Sequence, residues 1–336
     1  MKKTILLLLM LTLSLLLSAD SGRVIAELVK PTGLVVDESR IYVAEDATVS
    51  IFDLKSLKKI AQFGRAGEGP QEFNIMPGVI SLTLDSRPGE LLISSLGKFS
   101  RWTKDGEFIS EFQYNLTNVF MPQLLSDGRF IGTGNRQEDQ KSFLTLVICD
   151  EKMNRVKEIY ANEINFQPGK GLVALSQVFS FARDDNFIVI PGNKDNELEV
   201  LDLELKVLRT ISVPEDKRSV DKAFRDDVIT ELERNPATKD FFEMLKPITF
   251  PASYPAISFF YTDQQGKLFV FSWKREGDNL EYHSFNLADG RKLHTGQALM
   301  RESPIRPYPP AFFNNHLYQL VENEDDDWML ISTELK

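Results

Sequence analysis

Chemistry in this 336-residue chain would have to come from few side chains. They are three histidines (His283, His294 and His316), a single cysteine (Cys149) and one dense acidic run, Glu322-Asn323-Glu324-Asp325-Asp326-Asp327. Neighbouring zinc ligands need a His-x-x-x-His, His-Glu-x-x-His or Cys-His arrangement, and none occurs. A serine nucleophile on a strand-to-helix elbow needs Gly-x-Ser-x-Gly, which is also missing. Cys149 follows the apolar run Leu144-Thr145-Leu146-Val147-Ile148, with no electropositive partner in sequence reach, so a buried structural thiol is expected. The acidic run lacks the glycine and terminal glutamate spacing of a calcium loop. A solvated hairpin turn is its preferred reading, and calcium is the one ion left open. Gly64, Gly67 and Gly69 do not make a phosphate cradle, because Pro70-Gln71 stands where Lys-Ser/Thr would be needed. Nor do they make a dinucleotide fingerprint, because Glu72 stands where its third glycine would be. No catalytic residue, metal ligand or cofactor is assigned from these patterns.

The elements that would position a site are more legible, because one local pattern recurs. A basic or glycine turn leads into an apolar-alternating strand at Val24–Leu28, Lys58–Phe63, Glu107–Phe112, Arg155–Ile159, Lys206–Ile211 and Arg291–His294. The spacing is about 35 to 50 residues, with one gap of about 85, which suits units of four short strands. The first unit reads Gly33–Asp37, Ile41–Ala44, Val49–Asp53 and the Ile60 strand. The second reads Ile80–Leu84, Glu90–Ser94, Phe99–Trp102 and Phe108–Phe112. The others run over about 122–160, 175–213, 256–295 and 310–332, with Asp127-Gly128, Gly266 and Asp289-Gly290 as turn signals. The strands are expected to alternate as half-buried antiparallel strands do. The sixth unit is one strand short, and the first is preceded by one strand too many. Circular closure satisfies both: the segment near Val24 becomes the outer strand of the sixth unit, which removes open sheet edges. The expected fold is therefore an all-β, six-bladed β-propeller closed by an N-terminal strand.

The long gap in the repeat holds a helical insertion between blades four and five, at about residues 215–250. Ser219 is the expected N-cap, and Val220, Phe224, Val228 and Leu232 form one apolar stripe. Asn235-Pro236 restarts a second short helix carrying Phe241, Phe242 and Leu245. The insertion reads as a packing cap over one rim, or alternatively as a lid or docking element over the channel.

Pro31-Thr32-Gly33-Leu34-Val35-Val36-Asp37 followed by Ile41-Tyr42-Val43-Ala44-Glu45-Asp46 resembles the NHL repeat consensus, although Glu45 is inserted before Asp46. Phe63–Phe73 with Met76-Pro77-Gly78-Val79 resembles its connection between blades. The resemblance is strong over residues 31–115 and degenerate in the later blades. The phrase Phe250–Ile257 followed by Gly266–Val270 is similar to secreted bacterial six-bladed propellers. The resemblance implies a ring whose ligands enter at the mouth of the central channel. Two kinds of position reach that mouth: the start of each innermost strand and the loop after each second strand. The ligand-binding candidates at those positions are Asp46, Gln123, Arg136, Gln177, Asn193, Tyr254, Lys274 and Glu322. Trp102 and Trp273 read as blade-core residues or, alternatively, as platforms for a sugar or peptide.

The ends and the charge limit the partners. Lys2 and Lys3, the apolar run Ile5–Leu17 and small Ser18-Ala19 read as a secretory signal over residues 1–19, leaving the propeller as 20–336. The run is too short for a bilayer span of roughly 20 residues, so no stable membrane insertion is expected after cleavage. The chain carries a net charge of −10, which works against nucleic acid and anionic lipid. The expectation is a secreted or periplasmic, non-catalytic module binding a protein or a small polar ligand. The alternative is a metal-dependent lactonase- or lyase-type enzyme at the channel. That reading needs three or four Asp, Glu, Asn or His side chains aimed at one point, whereas the expected innermost-strand starts are mostly Pro, Thr, Gln and Tyr.

Overall fold

The architecture comes from a computed structural model, which describes residues 22–25, 27–76, 82–139, 141–163, 171–175, 179–215, 217–234, 239–301 and 310–336. The leader, Pro77, Ile80, Gln177 and Asn235-Pro236 of the sequence-based expectations lie outside the described residues. Six four-stranded antiparallel sheets form the six blades. Five are simple meanders. The sixth takes Ala311–Phe313, His316–Glu322 and Trp328–Glu334 and completes itself with Arg23–Val24. Arg23 pairs with Leu330 and Val24 with Met329, and the Ile25 N–H adds a further rung to the Trp328 carbonyl at 2.8 Å. The closing strand is thus shorter than the expected span over 24–28.

The innermost strands are Pro31–Val36, Thr83–Arg87, Phe120–Leu124, Ala182–Arg183, Phe259–Thr262 and Ala311–Phe313. Second strands such as Arg40–Glu45 and Glu90–Ser95 are buried on both faces, and this explains their near-continuous apolar runs. In Arg40–Glu45, Ile41 and Val43 face the core shared with blade six, while Tyr42 and Ala44 face the core shared with blade two. Lys267–Glu276 behaves alike: Leu268 and Val270 pack toward blade four, and Phe269 and Phe271 toward blade six. Successive side chains point to opposite faces of a strand, so each blade stocks two inter-blade cores at once. Half-buried alternation appears in outer strands such as Lys59–Phe63 and also in Phe259–Thr262 and Glu197–Leu201. The core is accordingly six wedges between neighbouring blades, and the sixth wedge, which includes Ile25 and Leu28, joins the two ends of the ring.

The Phe63–Phe73 connection is built around a buried lysine. Lys98 Nζ donates to the carbonyls of Glu68, Gly69 and Glu72 at 3.3, 2.6 and 3.0 Å. Gly64 holds a φ of 88°, and a Cβ there would lie 2.3 Å from the Phe73 ring.

The insertion carries one α-helix, α1 (Lys222–Arg234), and a 3-10 turn at Lys239–Leu245. Its N-cap is Asp221 rather than Ser219. Asp221 Oδ1 accepts the Phe224 N–H at 2.8 Å, which puts the cap three residues before Phe224 as capping geometry requires. Ser219 instead bridges to Ser253. Ile248–Thr249, just after the insertion, pairs in parallel with Leu172–Val173 and ties the connection before blade four to the connection after it.

Candidate functional site

The six innermost strands enclose a central cavity of about 490 Å³. Each strand runs from the pole where the blade connections arrive to the opposite pole, where it turns back into the second strand. Thr32 and Leu82 lie toward the first pole, and Asp85 and Arg183 toward the second. The second end carries a polar floor. Arg183 of blade four gives Nη2–H to Asp85 of blade two at 2.5 Å and Nε–H to Gln123 of blade three at 3.2 Å. Arg87 also holds Asp85, at 3.0 Å, and donates to the Leu124 carbonyl and to Asp185. Thr262 of blade five gives its hydroxyl hydrogen to the Arg183 carbonyl. Blades two to five are thereby stitched together at the floor by side chains rather than by sheet.

Asp85 and Arg183 are buried. Burial pulls the Arg183 guanidinium below its ordinary range, with the Arg87 charge adding to the effect and Asp85 opposing it. Two guanidiniums share one buried carboxylate here, because Asp185 is largely solvent-exposed. The walls above the floor are apolar and aromatic, with Leu34, Met121, Phe179, Phe181, Tyr261 and Phe312 among them. Tyr261 stacks on Phe312 with ring centroids 4.5 Å apart. Burial pushes its phenol up to about 12, so it stays a hydrogen donor at neutral pH. A second hollow of about 400 Å³ lies outside the floor, among turns that carry Glu38, Gln265 and Asn314. The channel cavity better combines apolar walls with a few convergent polar groups, the usual character of a ligand site.

The sequence-derived candidates do not converge on this cavity. Of the candidates among the described residues, Gln123 alone lines it, and Gln123 sits at the far end of its strand beside Arg183, not at the start. Asp46 and Asn193 are exposed in turns after second strands, where the sequence places them. Glu322 ends its strand opposite Trp328, exposed. The turn beyond it is organised by Asn323, whose Oδ1 accepts the N–H groups of Asp325 and Asp327. Arg136 and Lys274 lie within strands rather than in loops, because Phe130–Glu138 and Lys267–Glu276 are longer than the six-residue second strands of blades one and two. Arg136 stacks on Phe143 at 4.4 Å and pairs with Glu138 and Glu158, all in its own blade. Lys274 is engaged by Glu281 at 2.7 Å, and this bond raises its pKa.

Tyr254 docks the insertion instead of facing the channel. Its ring packs on Phe224 of α1 and Trp273 at 5.3 and 6.3 Å, and its hydroxyl reaches Asp221 at 3.4 Å. Trp102 is a blade-core residue, donating to Ser100 Oγ at 2.8 Å. Cys149 is fully buried, and burial pushes its thiol up to about 11. His283 is buried against Thr295, and burial lowers its pKa. Among the described residues no three His, Cys, Asp or Glu side chains are arranged to hold a metal ion.

No family model matches the chain. No curated protein matches it either. Solved structures do. A candidate exported protein of Bacteroides fragilis superposes with a TM-score of 0.52 at 12% identity, over 94% of this chain and 95% of that one. A member of the DUF4221 family from Bacteroides vulgatus gives 0.48 at 13% identity, over 94% and 95%. A luciferin-regenerating enzyme gives 0.41 at 11% identity, over 94% of each chain. At such identities the likeness concerns the fold alone.

Proposed function

We propose that this chain is an extracytoplasmic, non-catalytic binding module of NHL-like type that takes a small ligand in its central channel. The observation that carries the reading is the cavity itself: about 490 Å³ with aromatic walls, resting on a floor of cross-linked charged side chains. Export is supported by the leader-like residues 1–19 and by the description of the Bacteroides fragilis neighbour as a candidate exported protein. The NHL assignment is supported by Asp37, which closes its hairpin by accepting the N–H groups of Ser39 and Arg40. The lactonase- or lyase-type alternative has less support, because among the described residues no three His, Cys, Asp or Glu side chains gather to hold a metal ion, and Asp85 in the floor is already committed to two guanidiniums.

The test is a thermal-shift screen of chemically mixed small amphiphiles against the protein and its Thr32→Trp variant, which fills the strand-start end of the cavity. Ligands that bind the folded state alone raise the melting temperature by mass action. The expected outcome is a set of stabilising compounds whose effect Thr32→Trp abolishes. Absence of any stabilising compound, or hits indifferent to Thr32→Trp, sinks the reading.

A further inference from the structure

The hollow of about 400 Å³ outside the channel shares no lining residue with the channel cavity. It sits over the first hairpin of blade six, between turns of blades five and one, and its volume falls within the range of ligand sites, about 300–1,000 Å³. Its base is apolar and aromatic. Tyr318 is buried in the wedge between blades six and one, and Leu54 and Phe313 pack against that wedge. The His316 ring lies beside Tyr318, with centroids 6.0 Å apart and planes 32° apart. The rim is polar, and its backbone is fixed. Asp37 accepts the N–H groups of Ser39 and Arg40, which holds the turn carrying Glu38. Asp263 Oδ1 accepts those of Gln265 and Lys267. Asn314 and Asn315 have φ values of 48° and 60°, as a two-residue hairpin turn of this hand requires, and Lys267 Nζ ties Asn315 Oδ1 to blade five at 2.8 Å. By contrast, the side chains of Glu38, Gln265 and Asn314 hydrogen-bond to no other described residue. His316 Nδ1 meets the Asn314 carbonyl at 2.9 Å. A carbonyl only accepts, so Nδ1 carries the hydrogen and Nε2 of the neutral ring is left as an acceptor.

We propose that this hollow is a second binding site, separate from the channel, and that it takes a neutral saccharide. One pyranose ring would rest a C–H face on Tyr318 and His316 and present its hydroxyls to Glu38, Gln265 and Asn314. The chemistry of the two sides matches. Aromatic faces carry partial negative charge and attract C–H groups. Hydroxyls taken from water need partners, and a carboxylate, two amides and an imidazole nitrogen supply acceptors and donors around one edge. The charge matches as well. Glu38 is the charged residue lining the hollow, and two cations flank it. Arg23 donates to the Leu54 and Lys55 carbonyls, and Lys267 stands behind Asn315. Neither an anion nor a cation meets a one-sided field there. A purely apolar ligand would cover the base and leave the rim groups without partners.

The test is saturation-transfer NMR titration with the methyl glycosides of glucose, galactose, mannose and N-acetylglucosamine, each alone. D-Glucitol, which has hydroxyls but no ring face, serves as the control. The expected result is saturable binding of at least one glycoside and none of glucitol. Glu38→Ala/Gln265→Ala removes two exposed side chains that hold nothing else among the described residues, so its melting temperature should be unchanged. Its affinity for that glycoside should fall at least about tenfold, as loss of a hydrogen bond to a charged group implies. Thr32→Trp, which fills the channel, should leave the affinity as it was. The inference is overturned if no glycoside binds, if glucitol binds equally well, if the double variant binds as tightly as the unmodified protein, or if Thr32→Trp abolishes binding. The channel reading is decided separately by the mixed screen, because the two sites answer to different variants.

Discussion

Arg183 and Asp85 meet at 2.5 Å across the channel although ninety-eight residues separate them in sequence. They stand on innermost strands of blades two and four, so their pairing skips a blade and fixes the ring at its floor. Removing one partner of a buried ion pair leaves the other charge uncompensated, which typically costs about 3–5 kcal/mol. Asp85→Ala should therefore lower stability by that order in urea unfolding. The apolar replacement Asp85→Leu/Arg183→Met should recover most of the loss, since an isosteric apolar pair often matches a buried ion pair. If the single and double variants unfold at the same urea concentration, the two side chains are not energetically coupled.

That pair also marks where the sequence stops being informative. The blades are legible because second strands such as Glu90–Ser95 are buried on both faces and write themselves as apolar runs, as in Leu91-Leu92-Ile93. The glycine at position 64 is legible because Phe73 leaves no room for a side chain. Which innermost charge meets which is set by ring closure, and no local pattern encodes it. Gln123 is a different case. The Asp127-Gly128 turn lies only four residues on, which is enough to place Gln123 at the end of its strand. By the same logic, Asp85 before the Pro88-Gly89 turn and Arg183 before Asp184-Asp185-Asn186 are charged residues at strand ends. Gly277-Asp278 could likewise have marked the true turn beyond Lys274. Tyr254 had no comparable signal, because its partner Phe224 arrives from an insertion.

Asp37 and Asp184 occupy equivalent positions just after innermost strands, yet their pH behaviour should be opposite. For Asp37, burial favours the neutral acid, but hydrogen bonds from Lys104, Ser39 and Ser86 and the Lys104 charge together hold its pKa below the ordinary 3.8. For Asp184, burial dominates, and Asp185 and Asp263 add repulsion, so its pKa is raised. The Asp37 carboxylate thus contributes stability above pH 3.8 that is lost as pH falls through its lowered folded pKa. Asp184 contributes most when protonated, below pH 3.8, and that contribution is lost as pH rises through its raised folded pKa. Asp37→Asn should destabilise at pH 7, and the difference from the unmodified protein should vanish at low pH. Asp184→Asn, which keeps an Oδ1 for Asn186 and Phe187, should stabilise at pH 7 and match the unmodified protein below pH 3.8. Urea midpoints across pH 3 to 8 check both; parallel difference curves for the two variants would contradict the assignment.

Two glycines with similar backbones should respond differently to alanine. Gly64 and Gly89 have φ values of 88° and 81°, where an L residue costs about 1–2 kcal/mol. A Cβ at Gly89 meets nothing within 4 Å, whereas at Gly64 it meets the Phe73 ring at 2.3 Å and the Ala47 carbonyl at 2.9 Å. Phe73 cannot yield easily, because it is buried and packed against Phe63 and Trp102. Gly89→Ala should therefore cost only the backbone penalty, and Gly64→Ala at least about 1 kcal/mol more, read as the gap between their urea midpoints. Equal losses would mean that the Phe73 cluster rearranges freely.

Ring closure makes the sharpest demand on one side chain. Val24 and Ile25 are adjacent in the segment that completes blade six, but Val24 is 47% exposed and Ile25 only 1%. Ile25 packs into the wedge between blades six and one with Leu34, Leu320 and Trp328. Truncating a buried isoleucine costs about 2–5 kcal/mol, whereas an exposed valine away from special features changes stability within about 0.5 kcal/mol. Ile25→Ala should therefore lower the urea midpoint far more than Val24→Ala. Because the channel exists only while the ring is closed, Ile25→Ala should also weaken any channel ligand near the denaturation midpoint, by depleting the closed form. Equal midpoints for the two variants would mean that the N-terminal segment is not seated on the last blade, and the channel would then lack the wall that Leu34 and Ala311 build on either side of that wedge.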